Sequence, residues 1–148
     1  MTVDPRLAEL VQRTPNFSFL LEHEAVLVGY SAAAESMIFT DPNTSMIKSR
    51  QFGEQLVTAL VATFGIRISA GQRTQHKRLK VLLDQGVINQ RVHTWFDAVR
   101  DTGNKAVHDG FAAQRDALQL VRTCYDLGAW FHRSSYELNL GCNYDCVH

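Results

Sequence analysis

Apolar positions recur at helical spacing along most of the chain, and no segment alternates as a half-buried strand would. From about residue 22 to 39 the run EHEAVLVGYSAAAESMIF is continuous and alanine-rich. Ala25, Val28, Gly29, Ala32 and Ser36 fall at helical spacing there, a small-residue face that lets another helix approach closely. Asp41-Pro42 reads as a stop followed by a start. Proline disfavours helix in the residue before it and suits the first helical position, with Asp41 as N-cap and Asn43 as the alternative. The next helix runs to about Phe64 on the stripe Met46, Phe52, Leu56, Val57, Leu60, Val61 and Phe64, with Gly65 ending it.

A polar, basic connection through residues 69–72 leads to a short third helix marked by Leu79, Val81, Leu82 and Leu83, which stops near Gly86. Val92, Trp95, Phe96 and Val99 then fall at i, i+3, i+4 and i+7, a clear amphipathic signature. After Asp101-Thr102-Gly103-Asn104, a polar, glycine-containing run, a turn or bend is expected. A last long helix over about 113–133 buries Leu120, Val121, Cys124, Leu127, Gly128 and Phe131. These segments predict an all-α fold, a single bundle of about five helices, with no internal repeat and no low-complexity linker.

Composition narrows the class. At 148 residues and 45% hydrophobic, the chain is large enough for one core without staples. Its apolar runs are too short to span a bilayer. The opening MTVDPRLAEL carries acids and lacks the apolar stretch of a signal peptide, so a cytoplasmic location is expected. Three cysteines make no disulfide framework. Cys142, Cys146 and His148, with Asp145 as a fourth donor, match no common zinc finger, so a divergent tail and no metal are expected. There is no phosphate loop, no Glu-x-Lys, no HExxH and no GxSxG, which removes the familiar NTP-driven, metal-dependent and serine-nucleophile centres.

A net charge of zero hides an asymmetry. Residues 1–41 hold six acids and two bases, whereas residues 67–91 hold Arg67, Arg73, Lys77, Arg78, Lys80 and Arg91 against Asp84 alone. Such a stripe is a candidate contact for nucleic-acid phosphate. A solvated helix face or a dock for an acidic partner segment is the plainer explanation, since basic stripes are commonly solvated surface, and the stripe contains no aromatic residue on which a base could stack.

Two polar constellations remain. Arg100, Asn104 and His108 are the candidate catalytic group, because Asn104 and His108 share a face if the helix continues and histidine serves as acid or base near neutral pH. The arrangement is similar to that of the helical HEPN ribonucleases, whose motif is an arginine, a polar residue, three more residues and a histidine. Aligned on Asn104 and His108, the arginine position is occupied by Gly103, and Arg100 lies a turn earlier. The structural alternative makes Asn104 a cap and His108 a buried or interfacial hydrogen-bonding residue. In the second constellation, DPNTSMIKSRQFGE from Asp41 to Glu54, Arg50 and Glu54 are one turn apart and suited to pairing. They could join Arg100 or His108 in an inter-helix network, while Lys48 and Arg50 would be the phosphate contacts of a functional reading.

The strings NFSFL from Asn16, AAE from Ala33, DPNTSMIKSRQFGE from Asp41, RDTGNKAVH from Arg100 and AWFHR from Ala129 together resemble a known domain. It is similar to the helical N-terminal domain of the restriction (R) subunit of type I restriction–modification enzymes, the DUF4145 family, over roughly residues 16–135. The resemblance implies a HEPN-like helical domain over 16–135, with 1–15 as an N-terminal extension and 136–148 as a divergent tail. It further implies a non-catalytic interaction or assembly role, with Asp41, Asn43, Lys48, Arg50, Glu54 and Gly103 as structural or interaction residues. The partners would be other domains or subunits of a restriction complex, with DNA contact possible through the stripe. ATP and Mg2+ would belong to nuclease and translocase domains that 148 residues cannot hold. The rival expectation is a metal-independent ribonuclease acting as a homodimer.

Overall fold

The computed structural model describes the backbone of residues 4–13 and 15–147, and their side chains as far as Glu137, Leu10 and Arg13 excepted. The reading of Cys142, Cys146 and His148 as a tail site lies outside these described residues. The chain forms α1 (Pro5–Arg13), a 3-10 segment (Pro15–Glu22), α2 (Ala25–Ser36), α3 (Pro42–Thr63), a short 3-10 turn (Ala70–Gln72), α4 (Gln75–Asp84), α5 (Gln90–Asp109) and α6 (Gln114–Val147). Among the described residues there is no strand, as the all-α expectation requires. No helix of these residues is long and apolar enough to cross a membrane.

α3 is the hub, packing against α2, α4, α5 and α6. It begins where the Asp41-Pro42 pair places it: Asp41 accepts from the Thr44 amide at 3.1 Å and from the Thr44 hydroxyl at 2.6 Å. Those bonds hold the Asp41 carboxyl below the ordinary carboxylate range. The cap is therefore Asp41, and Asn43 is free for another task. The stripe predicted for α3 is buried at Met46, Phe52, Leu56, Val57 and Leu60, with Val61 and Phe64 partly buried against the same core. The predicted faces of α5 and α6 are buried as well, at Val92, Phe96 and Val99 and at Leu120, Val121, Cys124, Leu127 and Phe131.

Two local expectations are corrected. The helix expected from residue 22 starts at Ala25, because residues 15–22 wind more tightly as 3-10. On a 3-10 helix residues three apart eclipse, and this puts Phe17 and Leu20 side by side in the core, both 0% exposed. Of the expected small-residue face, Val28 and Ala32 are buried, together with Leu27, Ser31 and Ala34, while Ala25 and Ser36 are exposed and a Cβ on Gly29 would meet nothing within 4 Å. Close approach of α2 to α3 is made instead by Ser45, whose hydroxyl donates to the Ala34 carbonyl at 2.6 Å.

The second correction concerns α5, which does not turn after Asp101–Asn104 but runs unbroken to Asp109. Its real terminator is Gly110, whose φ of 65° is the left-handed C-cap conformation that glycine adopts without a Cβ penalty. Gly103 serves the crossing of α5 with α3. A Cβ there would stand 2.5 Å from the Arg50 Cβ. α1, within the segment read as an N-terminal extension, lays Leu7 and Val11 against the core. α6 continues beyond Arg133 through the segment read as a tail.

Cys124 faces the centre of the bundle, fully buried, with its thiol 3.8 Å from the Ser49 carbonyl. Burial pushes its pKa up to about 12. An unfolded chain ionises this thiol from about 9.0 upward, so the stability held by the neutral native thiol is present below that pH and is lost progressively up to about 12. In a Cys142→Ser/Cys146→Ser background, iodoacetamide at pH 8 is expected to leave native Cys124 unmodified and to label it fully in denaturant. Labelling of the native protein at the rate of a free thiol would contradict the burial.

Candidate functional site

The seam between α3 and α5 gathers most of the polar residues singled out in the sequence. Because Gly103 lacks a side chain, Arg50 lies across α5 at van der Waals range, and its guanidinium reaches one residue further. Its Nη1 donates to Asn104 Oδ1 at 3.2 Å and stands 3.5 Å from Glu54 Oε1 on its own helix. The inter-helix network is thus Glu54–Arg50–Asn104. Neither Arg100 nor His108 belongs to it, in contrast to the pairing expected from sequence. Arg50 is about a quarter exposed and Glu54 just over a third, so the pair is a positioning device more than a source of stability.

Asn43 secures the far end of the same seam. Its side-chain amide donates to the Ala106 carbonyl and to the Phe111 carbonyl, both at 2.8 Å. Ala106 lies in the last turn of α5, where carbonyls have no partner within the helix, so Asn43 satisfies a group the fold would otherwise leave unpaired. Lys48 is not aimed at a phosphate site: its ammonium lies 5.7 Å from the centre of the Tyr30 ring.

The Arg100, Asn104, His108 group is divided. Arg100 is held on its own helix by Asp97 at 3.6 Å and by Asp101 at 3.2 Å. His108 is eight residues on, about 12 Å along the axis of a helix. Asn104 and His108 do share one surface depression, of about 390 Å³, with Asp101, Lys105 and Asp109. Asn104 is mid-helix and not a cap, and His108 is exposed and not buried, because α5 continues past the expected bend and turns this face outward.

The basic stripe separates into two kinds of residue. Arg67, Arg73, Lys77 and Lys80 are exposed, whereas Arg78 is half-buried and spent on the fold, donating to the Thr58 hydroxyl at 2.9 Å, the Gln75 side chain at 2.7 Å and the Glu54 carbonyl at 3.4 Å. Arg91 is exposed and stacks over Trp95 at 5.0 Å.

Sequence reading missed one cluster altogether. Glu22, His23 and His132 bring a carboxylate and two imidazoles to one point where the 3-10 segment meets α6. Burial holds the His23 imidazole below its ordinary value, against the opposing pull of Glu22. The two histidines are 109 positions apart, and no spacing rule connects them.

The chain is 30% identical over 118 residues to the type I restriction enzyme EcoKI endonuclease subunit of Escherichia coli (strain K12). That alignment covers 80% of this chain and 10% of the subunit, so the chain matches about a tenth of that relative's length. No solved structure matches the chain. Residues 32–128 match the family described as a domain of unknown function, DUF4145, and they include α3, α5, Arg50, Gly103 and Asn104. The chain belongs to the DUF4145 family.

Proposed function

We propose that this chain is a non-catalytic assembly domain of a type I DNA restriction system, part of a restriction-subunit-like polypeptide that acts in the cytoplasm. The observation that carries the reading is the contact of Gly103 with Arg50. A HEPN-type ribonuclease needs an arginine at this position to stabilise phosphate charge in the transition state. Here even a Cβ would stand 2.5 Å from the Arg50 Cβ. The arginines nearby are already engaged, Arg50 by Glu54 and Asn104 and Arg100 by two aspartates. The polar residues of the seam lock two helices together, and the outward face of α5 is left for another domain or subunit of the complex. Family membership and the printed name of the relative, an endonuclease subunit of a type I restriction enzyme, support that setting. ATP and Mg2+ would be the business of other domains.

The ribonuclease reading retains one favourable observation: Asn104 and His108 border one depression, and the Arg50 guanidinium donates to Asn104. A single experiment separates the two. The purified chain is incubated with labelled RNA and DNA, in EDTA or in Mg2+ with ATP. It is then run with the other subunits of a type I complex on size exclusion with light scattering. The expected result is intact nucleic acid and a shift to a complex. Cleavage that survives EDTA and disappears in His108→Ala, from a homodimer, would overturn the assembly reading. DNA contact through Arg67, Arg73, Lys77 and Lys80 would show as an affinity falling linearly with salt on a log–log plot.

A further inference from the structure

The cluster at the junction of the 3-10 segment and α6 is a triangle of lone-pair atoms. His23 Nε2 lies 2.9 Å from His132 Nδ1, which lies 3.0 Å from Glu22 Oε1, and the same oxygen is 3.6 Å from His23 Nε2. The rings are held by packing. Phe131 meets His23 edge-to-face at 5.0 Å, and Phe19 and Tyr136 meet His132 at 5.4 and 4.8 Å. The Tyr136 hydroxyl donates to the other carboxylate oxygen, Glu22 Oε2, at 3.2 Å, which leaves Oε1 facing the imidazoles.

A proton satisfies this triangle only by being shared. A neutral imidazole carries one N–H. Placed on His23 Nε2, it goes to His132 Nδ1 and leaves that nitrogen with no proton to offer Glu22 Oε1. Placed on His132 Nδ1, it is shared between the carboxylate and His23 Nε2 as a bent three-centre bond, weaker to each than a straight one. Protons on both nitrogens collide across the 2.9 Å edge. A cation at the centre accepts all three lone pairs at once. Donor atoms about 2.0–2.1 Å from a tetrahedral zinc ion stand about 3.3 Å from one another, and the three edges bracket that value.

We propose that Glu22, His23 and His132 bind one zinc ion, with an open fourth position. Two imidazoles and a carboxylate are a donor set suited to zinc and neighbouring transition metals, in contrast to the all-oxygen sites of calcium and magnesium. Beside the cluster is a cavity of about 250 Å³ bordered by His23, Glu24, Ala59, Thr63, Phe131 and Ser135. The Ser135 side chain is 6% exposed, and its hydroxyl is buried without a hydrogen-bond partner. Such a group calls for a polar partner within the cavity. Tyr136 acts one step out, orienting the carboxylate as the outer partners of metal ligands do. The ion would staple the 3-10 segment to α6, and this role stands independently of the assembly reading.

The test uses the full chain in the Cys142→Ser/Cys146→Ser background, so that tail thiols cannot supply a site, after stripping with EDTA and dialysis. Calorimetric titration with ZnCl2 is expected to give one equivalent, and Co2+ to give the visible bands of a tetrahedral ion. Zinc at about a hundred times its Kd is expected to raise Tm by about 8 °C. His132→Ala and Glu22→Gln are each expected to weaken binding at least tenfold while far-UV circular dichroism stays unchanged. The Glu22 side chain is 48% exposed, so its glutamine variant keeps the fold. The proposal is overturned if no saturable binding occurs in this background, or if binding survives both substitutions.

Discussion

Gly103→Ala is expected to destabilise the protein by about 2–4 kcal/mol, against the usual sign for a glycine-to-alanine change inside a helix. Helix propensity alone would favour alanine by about 1 kcal/mol. The new methyl, however, would stand 2.5 Å from the Arg50 Cβ and 3.0 Å from its Cγ. A Cβ is tied to the backbone and cannot swing away, so α3 and α5 must separate along their crossing. That loosens the packing of Val99 and Phe96 on α3, where the space beside Gly53 is also narrow, with the Val99 methyl 3.3 Å from a Cβ built there. The measurements are urea unfolding for the free energy and thermal unfolding for the midpoint, both followed by circular dichroism, with an expected fall in Tm of roughly 6–12 °C. Arg50→Gly removes the opposing Cβ, so Gly103→Ala is expected to cost far less in that background, with a coupling of more than about 1 kcal/mol in the double-mutant cycle. Gly103→Arg, which would restore the ribonuclease motif, is expected not to fold. A Gly103→Ala variant as stable as the parent would show that the seam is not closed at this point.

Phe52→Ala is expected to cost about 3–5 kcal/mol, a large share of the 5–15 kcal/mol that typically separates folded from unfolded domains. Phe52 is 0% exposed on the hub helix, and its ring meets Phe17 edge-to-face at 6.1 Å. Phe17 belongs to the 3-10 segment, so this contact ties that segment to α3. Truncation leaves a cavity that close-packed helices cannot collapse to fill. Phe39→Ala provides the contrast: the ring is 68% exposed, and its loss is expected to change stability by no more than about 0.5 kcal/mol. If the two variants unfolded at the same urea concentration, the ring of Phe52 would not be part of the core.

The long apolar stripes were legible because helical periodicity is a local property. Met46 to Leu60 on α3 and Leu120 to Phe131 on α6 must bury one face whatever they pack against, and both do. The start of α3 was legible for the same reason, since the Asp41 cap and Pro42 act within one turn. The segment Asp101–Asn104 misled because glycine beside polar residues signals a turn only when nothing else requires the glycine. Here Arg50, 53 positions earlier, required it. The residues 15–22 gave no helical period, because a 3-10 helix repeats every three residues and eight of them are too few to show it.

The candidate site divides along the same line. Sequence motifs selected Arg50, Glu54, Gly103, Asn104 and His108, and they placed the chain in its family. They could not assign partners, since a side chain's hydrogen bonds depend on which helices meet and at what height. Packing put Arg50 on Asn104, left Arg100 to its own aspartates, and sent Asn43 to the carbonyls at the end of α5. It also brought His23 to His132 across 109 positions, a juxtaposition with no trace in composition or spacing. What the sequence by itself determined was the helical class, the buried face of the long helices and the family, each encoded within a few turns of chain. The tertiary structure alone decided that α5 runs on past Gly103, which polar groups pair and where a carboxylate and two imidazoles converge, because those depend on contacts between residues distant in the chain.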